Sequence, residues 1–107
     1  MIKNMLSGFV RLHILHHASL ESIYGVEIIE ELRRHGYRVG PGTVYPVLHQ
    51  MEADGFLIAE KVNVEGRIRI YYQITEKGLQ VLRESKKWLR ELVKEVLEEE
   101  LEHESGY

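Results

Sequence analysis

Apolar residues recur at helical spacing over the first third of the chain. Residues 2–18 carry an apolar side chain every three or four positions, at Ile2, Leu6, Phe9, Val10, Ile14 and Leu15. Residues 22–36 repeat this spacing, with one face formed by Val26, Ile28, Ile29 and Leu32. The second stretch starts at Ser22, a residue type that caps helix N-termini, and stops at Gly36. The pattern predicts two amphipathic helices.

A third helix is predicted over residues 43–55. At about 100° per residue, one stripe holds Val44, Val47, Leu48 and Met51, and the opposite face holds Tyr45, Pro46, His49, Gln50 and Ala53. If Thr43 caps this helix, Pro46 lies in its first turn, where the missing N–H has no intrahelical partner. The outer face carries no charged residue at its centre, which is unusual for a helix that faces only water.

A β-hairpin is predicted next. Residues 67–74 alternate, with one face formed by Ile68, Ile70, Tyr72 and Ile74 and the other by Arg67, Arg69, Tyr71 and Gln73. Glu65-Gly66 is a suitable turn, so the tip of the hairpin is placed at residues 63–67. We expect the isoleucine face to be the buried one, which leaves the arginines exposed.

The last predicted helix is long for so small a protein. Thr75 is a suitable N-cap, and the helical spacing continues to about residue 103, a length of roughly 40 Å. Its apolar positions are Leu79, Leu82, Leu89, Leu92, Val93, Val96, Leu97 and Leu101, with Trp88 beside them. The preceding part of the chain is too small to cover this stripe. We therefore expect the distal half to pack against a second copy of the chain in a homodimer.

Composition and charge narrow the class of protein. The 107 residues suit one small domain, and the absence of cysteine excludes disulfides, thiolate metal sites and cysteine nucleophiles. Arg11 and three histidines interrupt the N-terminal apolar stretch, and no apolar run is long enough to span a membrane, so we expect a cytoplasmic protein. The net charge of −3 arises entirely within residues 76–107, which leaves the first 75 residues electrically balanced.

Three segments resemble the PadR family of bacterial and archaeal transcriptional regulators. They are PGTVYPVL at residues 41–48 with EADGFLI at 52–58, Gly66-Arg67 in the hairpin, and YYQITEKG at 71–78. The resemblance implies a mainly α fold with a small β-hairpin wing, that is, a winged helix-turn-helix followed by a long C-terminal dimerisation helix. Residues 1–75 would form the DNA-binding domain and residues 76–107 the dimerisation helix.

The resemblance also implies a sequence-specific DNA-binding regulator, most simply a homodimeric repressor that is released by an effector. The third helix would enter the major groove of a palindromic operator, because small and hydrogen-bonding side chains can approach base edges. The expected DNA-binding residues are Thr43, Tyr45, Pro46, His49, Gln50, Arg67 and Arg69. The alternative is a dimeric winged-helix module that binds a protein or ligand without DNA, since positions 49 and 50 lack the basic residues common in relatives.

Two further sites have competing interpretations. Trp88, Leu89, Leu92 and Val96 could form a dimer interface or, as in some small relatives, the wall of a pocket for a flat aromatic effector. His13, His16 and His17 have metal-ligand spacing, but the three cannot all converge from one helix and no carboxylate sits beside them as in HExxH. We therefore predict no metal and no cofactor. The chain also lacks a phosphate loop or a nucleophile–base pair, so no enzyme activity is expected.

Overall fold

The computed structural model describes residues 1–101. Its helices are α1 (Ile2–Leu20), α2 (Gly25–Arg34), α3 (Pro41–Ala53) and α4 (Glu76–Val93), and its strands are β1 (Ile23–Tyr24), β2 (Leu57–Val64) and β3 (Arg67–Ile74). Helix α4 continues through a π-helical segment, Lys94–Glu98, and remains helical to Leu101. The predicted fold class is confirmed: three helices, a hairpin and a long last helix. The predicted end at residue 103 lies outside the described residues.

The core lies where α1, α2 and α3 meet the base of a small antiparallel sheet. The strand order is β1-β3-β2, so β3 is central and its Tyr72 side chain is buried. The core comprises Val10, Ile14, Leu15, Ala18, Ile23, Ile28, Ile29, Leu32, Val44, Leu48, Met51, Leu57, Tyr72 and Leu82. None of the helices within residues 1–101 combines the length and apolar character that crossing a membrane requires.

The turn and cap residues at the hairpin act as predicted. Glu65 and Gly66 join the two long strands with φ values of 51° and 82°, the pair of positive angles that a type I′ turn needs. Thr75 caps α4: its Oγ1 accepts the Gly78 N–H at 3.0 Å and donates to the Gly55 carbonyl at 2.6 Å. One threonine side chain therefore links the start of α4 to Gly55, in the turn between α3 and β2.

The start of α2 differs from the prediction. Ser22 does not cap this helix, since its Oγ accepts a hydrogen bond from Gln73 Nε2 at 2.9 Å. The helix begins at Gly25, with Tyr24 as N-cap, and Glu27 Oε1 accepts the Tyr24 N–H at 3.2 Å. The residues between form β1, which pairs with β3. A two-residue strand has too few positions to show alternation, so the sequence pattern could not indicate it.

Several apolar residues predicted to be buried are exposed. They lie at the start of α1, on α2 and on the outer half of the hairpin, and comprise Ile2, Leu6, Phe9, Val26, Ile68 and Ile70. The expected buried face of β3 was therefore wrong for its first half, because the hairpin extends beyond the helices and only its base has a helical layer to pack against. In α1, burial begins at Val10.

Helix α4 approaches the hairpin closely at Gly78. A Cβ at this position would lie 2.3 Å from the Phe56 carbonyl oxygen and 2.7 Å from Ile74 Cγ1. The first of these is a backbone atom, which cannot move aside as the end of a flexible side chain would. Only a glycine lets α4 begin this close to the backbone of Phe56, the residue before β2.

We predict that Gly78→Ala lowers the free energy of unfolding by about 1–3 kcal/mol, because the methyl group forces the helix away from Phe56. The matched control is Gly8→Ala in α1, where an added Cβ meets nothing within 4 Å. That change should raise stability by about 0.5–1 kcal/mol through the higher helix propensity of alanine. Urea denaturation measures both, and equal effects of the two substitutions would contradict the prediction.

Candidate nucleic-acid interface

Helix α3 buries one side and exposes the other. Val44, Leu48 and Met51 are buried, as predicted, and Val47 is half-buried. On the opposite side Pro46, His49, Gln50 and Ala53 are all exposed. The core therefore holds the helix in an orientation that presents this uncharged face to the outside.

Pro46 is not in the first turn of α3, contrary to the prediction. The helix begins at Pro41, with Gly40 as N-cap, so Thr43 is its third residue and Pro46 its sixth. The first intrahelical bond runs from Val44 N to Gly40 O at 3.0 Å. By the same spacing, a residue with an N–H at position 46 would bond to the Gly42 carbonyl. The proline removes that bond from the helix.

Tyr45 is half-buried, although the helical pattern placed it on the outer face. Its ring lies against the backbone of Gly25, where an added Cβ would be 2.3 Å from Tyr45 Cε1 and 2.6 Å from Tyr45 Oη. The contact joins α3 to the first residue of α2. Gly25 thus leaves room for the tyrosine, and the aromatic ring is held beside the wing.

Both wing arginines are exposed, and one of them is held by aromatic side chains. The Arg69 guanidinium lies over the Tyr24 ring, 4.8 Å from its centroid, and Tyr24 packs edge-to-face with Tyr71 at 5.3 Å. Interaction with the Tyr71 side chain raises the pKa of Arg69. Arg67 lies at the hairpin turn, opposite Val64. Within residues 1–101, neither arginine forms an ion pair.

A cleft of about 450 Å³ separates the wing from the helices. Three predicted DNA-binding residues, Tyr45, Arg67 and Arg69, line this cleft together with Tyr24, Gly25, Val26, Ile68 and Ile70. Sequence reasoning missed Tyr24 and Gly25. These two residues are adjacent in the sequence and carried no pattern that pointed to the wing. Only the pairing of β1 with β3 brings them beside it.

The other predicted residues lie outside this cleft. Thr43 faces a separate cavity of about 750 Å³, which it shares with Lys3 and Arg38. His49 and Gln50 lie on the exposed face, where Gln50 Nε2 donates to Asp54 Oδ1 at 3.0 Å. The seven residues therefore occupy three adjoining regions: the wing cleft, the exposed face of α3, and the cavity near the start of α3.

Comparison with known proteins identifies the family. The sequence profile described as "Transcriptional regulator PadR-like family" matches residues 14–84. The chain belongs to the PadR-like family. It is 52% identical over 88 residues to the transcriptional regulator Rv3488 of Mycobacterium tuberculosis, covering 82% of each chain. The members of the family are transcriptional regulators and not enzymes, so this chain is a transcriptional regulator.

Solved structures of PadR-like proteins share the fold. The PadR-like transcriptional regulator of Bacillus cereus is 34% identical, with a TM-score of 0.80 over 87% of this chain and 92% of that one. A PadR family regulator of Eggerthella lenta is 30% identical, with a TM-score of 0.77 over 90% of this chain and 85% of that one.

The last helix of this PadR-like chain carries an exposed apolar surface. The exposed fractions of Trp88, Leu89, Leu92 and Val96 are 61%, 40%, 54% and 52%. Trp88 Nε1 donates to Glu84 Oε1 at 3.3 Å on the same helix. Leu89 also lines an apolar groove of about 300 Å³ between α1 and α4, together with Phe9, Leu12, His13, His16, Tyr37, Leu82 and Lys86. Trp88 is not part of this groove.

We predict that Pro46→Ala raises the free energy of unfolding by about 1–3 kcal/mol, because alanine supplies the N–H that can bond to the Gly42 carbonyl. Pro41→Ala is the matched control, since Pro41 is the first helical residue and its missing N–H has no intrahelical partner. That substitution should bring no gain. Thermal and urea denaturation of both variants measure the difference, and a gain for Pro41→Ala alone would contradict the account.

Proposed function

We propose that the protein binds double-stranded DNA as a homodimer and represses transcription. The observation that carries this proposal is the cleft in which Tyr45 of α3 lies beside Arg67 and Arg69 of the wing. A recognition helix needs an uncharged face that can approach bases, and a wing needs cations that can reach phosphates or the minor groove. Both features adjoin each other here.

The proposed contacts follow from the positions of the side chains. His49 and Gln50 are exposed in the second half of α3, and a glutamine can pair with the N6 and N7 atoms of adenine in the major groove. Asp54 Oδ1 accepts one N–H of the Gln50 amide at 3.0 Å, which leaves the second N–H and Oε1 of Gln50 for the edge of the adenine. Thr43, Tyr45 and Pro46 lie nearer the start of the helix and would position the duplex, as would the wing arginines.

The charge distribution supports this surface despite the net charge of −3. The acidic excess lies in residues 76–107, whereas Arg67, Arg69 and Arg38 lie near α3. Arg34 contributes less net charge, because it pairs with Glu31, whereas Arg33 keeps its charge while its Nε donates to the Val39 carbonyl at 2.8 Å. Local positive charge is what a phosphate backbone requires.

We predict that binding to a duplex from immediately upstream of the coding region is tight and weakens steeply between 50 and 200 mM salt, on the order of 10³-fold for six phosphate contacts. Gln50→Ala should weaken specific binding by about 10-fold or more, because one bidentate base contact is lost. Arg67→Ala should weaken specific and random duplexes alike and reduce the salt slope by about one. Fluorescence anisotropy with both duplexes measures these effects.

Arg83→Ala serves as the control, since Arg83 lies on α4 away from the wing cleft. It should leave both affinities unchanged. If no duplex from a genome-wide selection binds above the random one, the DNA proposal fails. Salt-insensitive binding of a protein or small ligand would then favour the winged-helix interaction module.

The proposed dimer rests on the apolar surfaces of α1 and α4. The first residues of α1 expose Ile2, Met5, Leu6 and Phe9, and α4 with its continuation exposes Trp88, Leu89, Leu92, Val93, Val96 and Leu97. The chain is elongated, with extents of 63 × 28 × 24 Å along its principal axes, and it leaves this surface of the last helix uncovered. We propose that residues 1–75 form the DNA-binding domain and residues 76–107 the dimerisation helix.

A two-fold dimer would present two copies of α3 to a palindromic operator. Half-sites one helical turn of DNA apart are separated by about 34–36 Å, or a multiple of that spacing. We further propose that a small aromatic effector releases the protein by occupying the apolar groove between α1 and α4, which Phe9 and Tyr37 line. Such a ligand would change the angle between the two wings through the last helices. We also propose that the protein acts in the cytoplasm, since the proposed function requires access to DNA.

We predict that Leu92→Glu converts the dimer to a monomer at micromolar concentration, because two buried carboxylates would face the partner without compensation. Arg90→Glu, which alters charge on the same helix without removing an apolar contact, should remain dimeric. Sedimentation equilibrium measures the masses. A dimeric Leu92→Glu protein would exclude the distal half of the last helix as the interface.

A further inference from the structure

Three histidines from two helices converge on one point. His13 and His17 lie one turn apart on α1, and His35 is the residue that caps the end of α2. Each offers a ring nitrogen, and these three nitrogens lie within 4.8 Å of one another. The ring centroids of His13 and His35 are 5.1 Å apart, and those of His13 and His17 are 6.3 Å apart.

The sequence pattern pointed to a different trio. His16, which was grouped with His13 and His17, is exposed and does not belong to the converging set. The third member comes instead from a residue 18 positions further along the chain than His17, so no local spacing could indicate it. The expectation that the three histidines of α1 cannot all converge is therefore correct, but it overlooked the contribution of α2.

A carboxylate lies beside two of these rings. Glu31 Oε1 lies 3.2 Å from His35 Nε2 and 3.8 Å from His17 Nε2, while Glu31 Oε2 pairs with Arg34. A carboxylate that contacts a ligating imidazole orients the ring and increases its basicity. The sequence interpretation looked for such a group beside the histidines of α1, whereas it lies on α2.

We propose that His13, His17 and His35 together bind one divalent transition-metal ion of the Co²⁺, Ni²⁺, Cu²⁺ or Zn²⁺ class, with Glu31 as the positioning carboxylate. Imidazole nitrogen suits these ions, whereas Mg²⁺ and Ca²⁺ prefer oxygen. Three nitrogens at about 2.0–2.1 Å from a tetrahedral zinc ion lie roughly 3.3 Å apart, so small side-chain rotations bring the rings into range. A fourth position would be left for water.

The site lies apart from the wing cleft. Neither Glu31 nor any of the three histidines lines that cleft, and none belongs to α3. A metal ion would join α1 to the end of α2. Metal binding and DNA binding can therefore be tested separately, and failure of one proposal leaves the other standing.

The test uses the full chain, stripped with a chelator and titrated with Co²⁺ alone. We expect one Co²⁺ per chain, with the strong visible absorption of a four-coordinate site, and displacement by equimolar Zn²⁺ but not by excess Mg²⁺. His35→Gln and His17→Gln should each weaken Co²⁺ binding by at least about 100-fold, and Glu31→Gln by about 10- to 100-fold.

The controls are His16→Gln on α1 and His49→Gln on α3, which should bind Co²⁺ as tightly as the wild-type protein does. The side chain of His35 is 51% exposed, so its replacement should leave the fold intact, which circular dichroism checks. Binding equally tight in His35→Gln would overturn the assignment, as would loss of binding in His16→Gln. Absence of any stoichiometric Co²⁺ would overturn the site itself.

Discussion

The burial of one side of α3 is the interaction on which the functional surface depends. Val44, Leu48 and Met51 lie in the core, and each buried side chain of this size contributes about 1.5–3 kcal/mol. Together these contributions exceed the roughly 3 kcal/mol that a proline inside a helix costs. The helix therefore tolerates Pro46, and its rotation about its own axis is set by the core. His49 and Gln50 are exposed as a result.

Two close backbone approaches position the other elements around α3. At Gly25 the absence of a side chain lets the Tyr45 ring pack on the start of α2, and at Gly78 it lets α4 begin against the Phe56 carbonyl. Thr75 reinforces the second contact through its bonds to Gly78 and Gly55. The wing and α3 thus share a frame of contacts that involve the backbone, and such contacts are less adaptable than contacts between flexible side chains. This rigidity would suit the duplex binding that we propose for the cleft.

The remainder of the chain is arranged for contacts beyond a single copy. Most of the exposed large apolar residues lie at the start of α1 and along the last helix, whereas the exposed face of α3 and the wing cleft contain most of the predicted DNA-binding residues. The histidine cluster lies where α1 meets the end of α2, and it adjoins two other regions: His13 lines the groove between α1 and α4, and His35 lines the cavity that Thr43 faces. Ligand binding at the cluster would therefore occur beside the surfaces proposed for oligomerisation and DNA contact.

The sequence alone predicted the four helices and the hairpin, since helical and strand periodicity, the Glu65-Gly66 turn and the Thr75 cap are local signals. The family came from the resemblance of its motifs, and the two-residue strand β1 was missed. The sequence also identified the exposed face of α3 and the last helix as the surfaces to examine. Only the tertiary structure decided which apolar residues are buried: Ile68 and Ile70 have the alternation of a buried face but lie beyond the helical layer. It likewise decided that Pro46 is an interior helix residue, that Tyr24 lies beside Arg69, and that His35 joins His13 and His17. The physical reason is the same in each case: periodicity describes which side of an element a residue occupies, whereas packing between distant segments determines what that side meets.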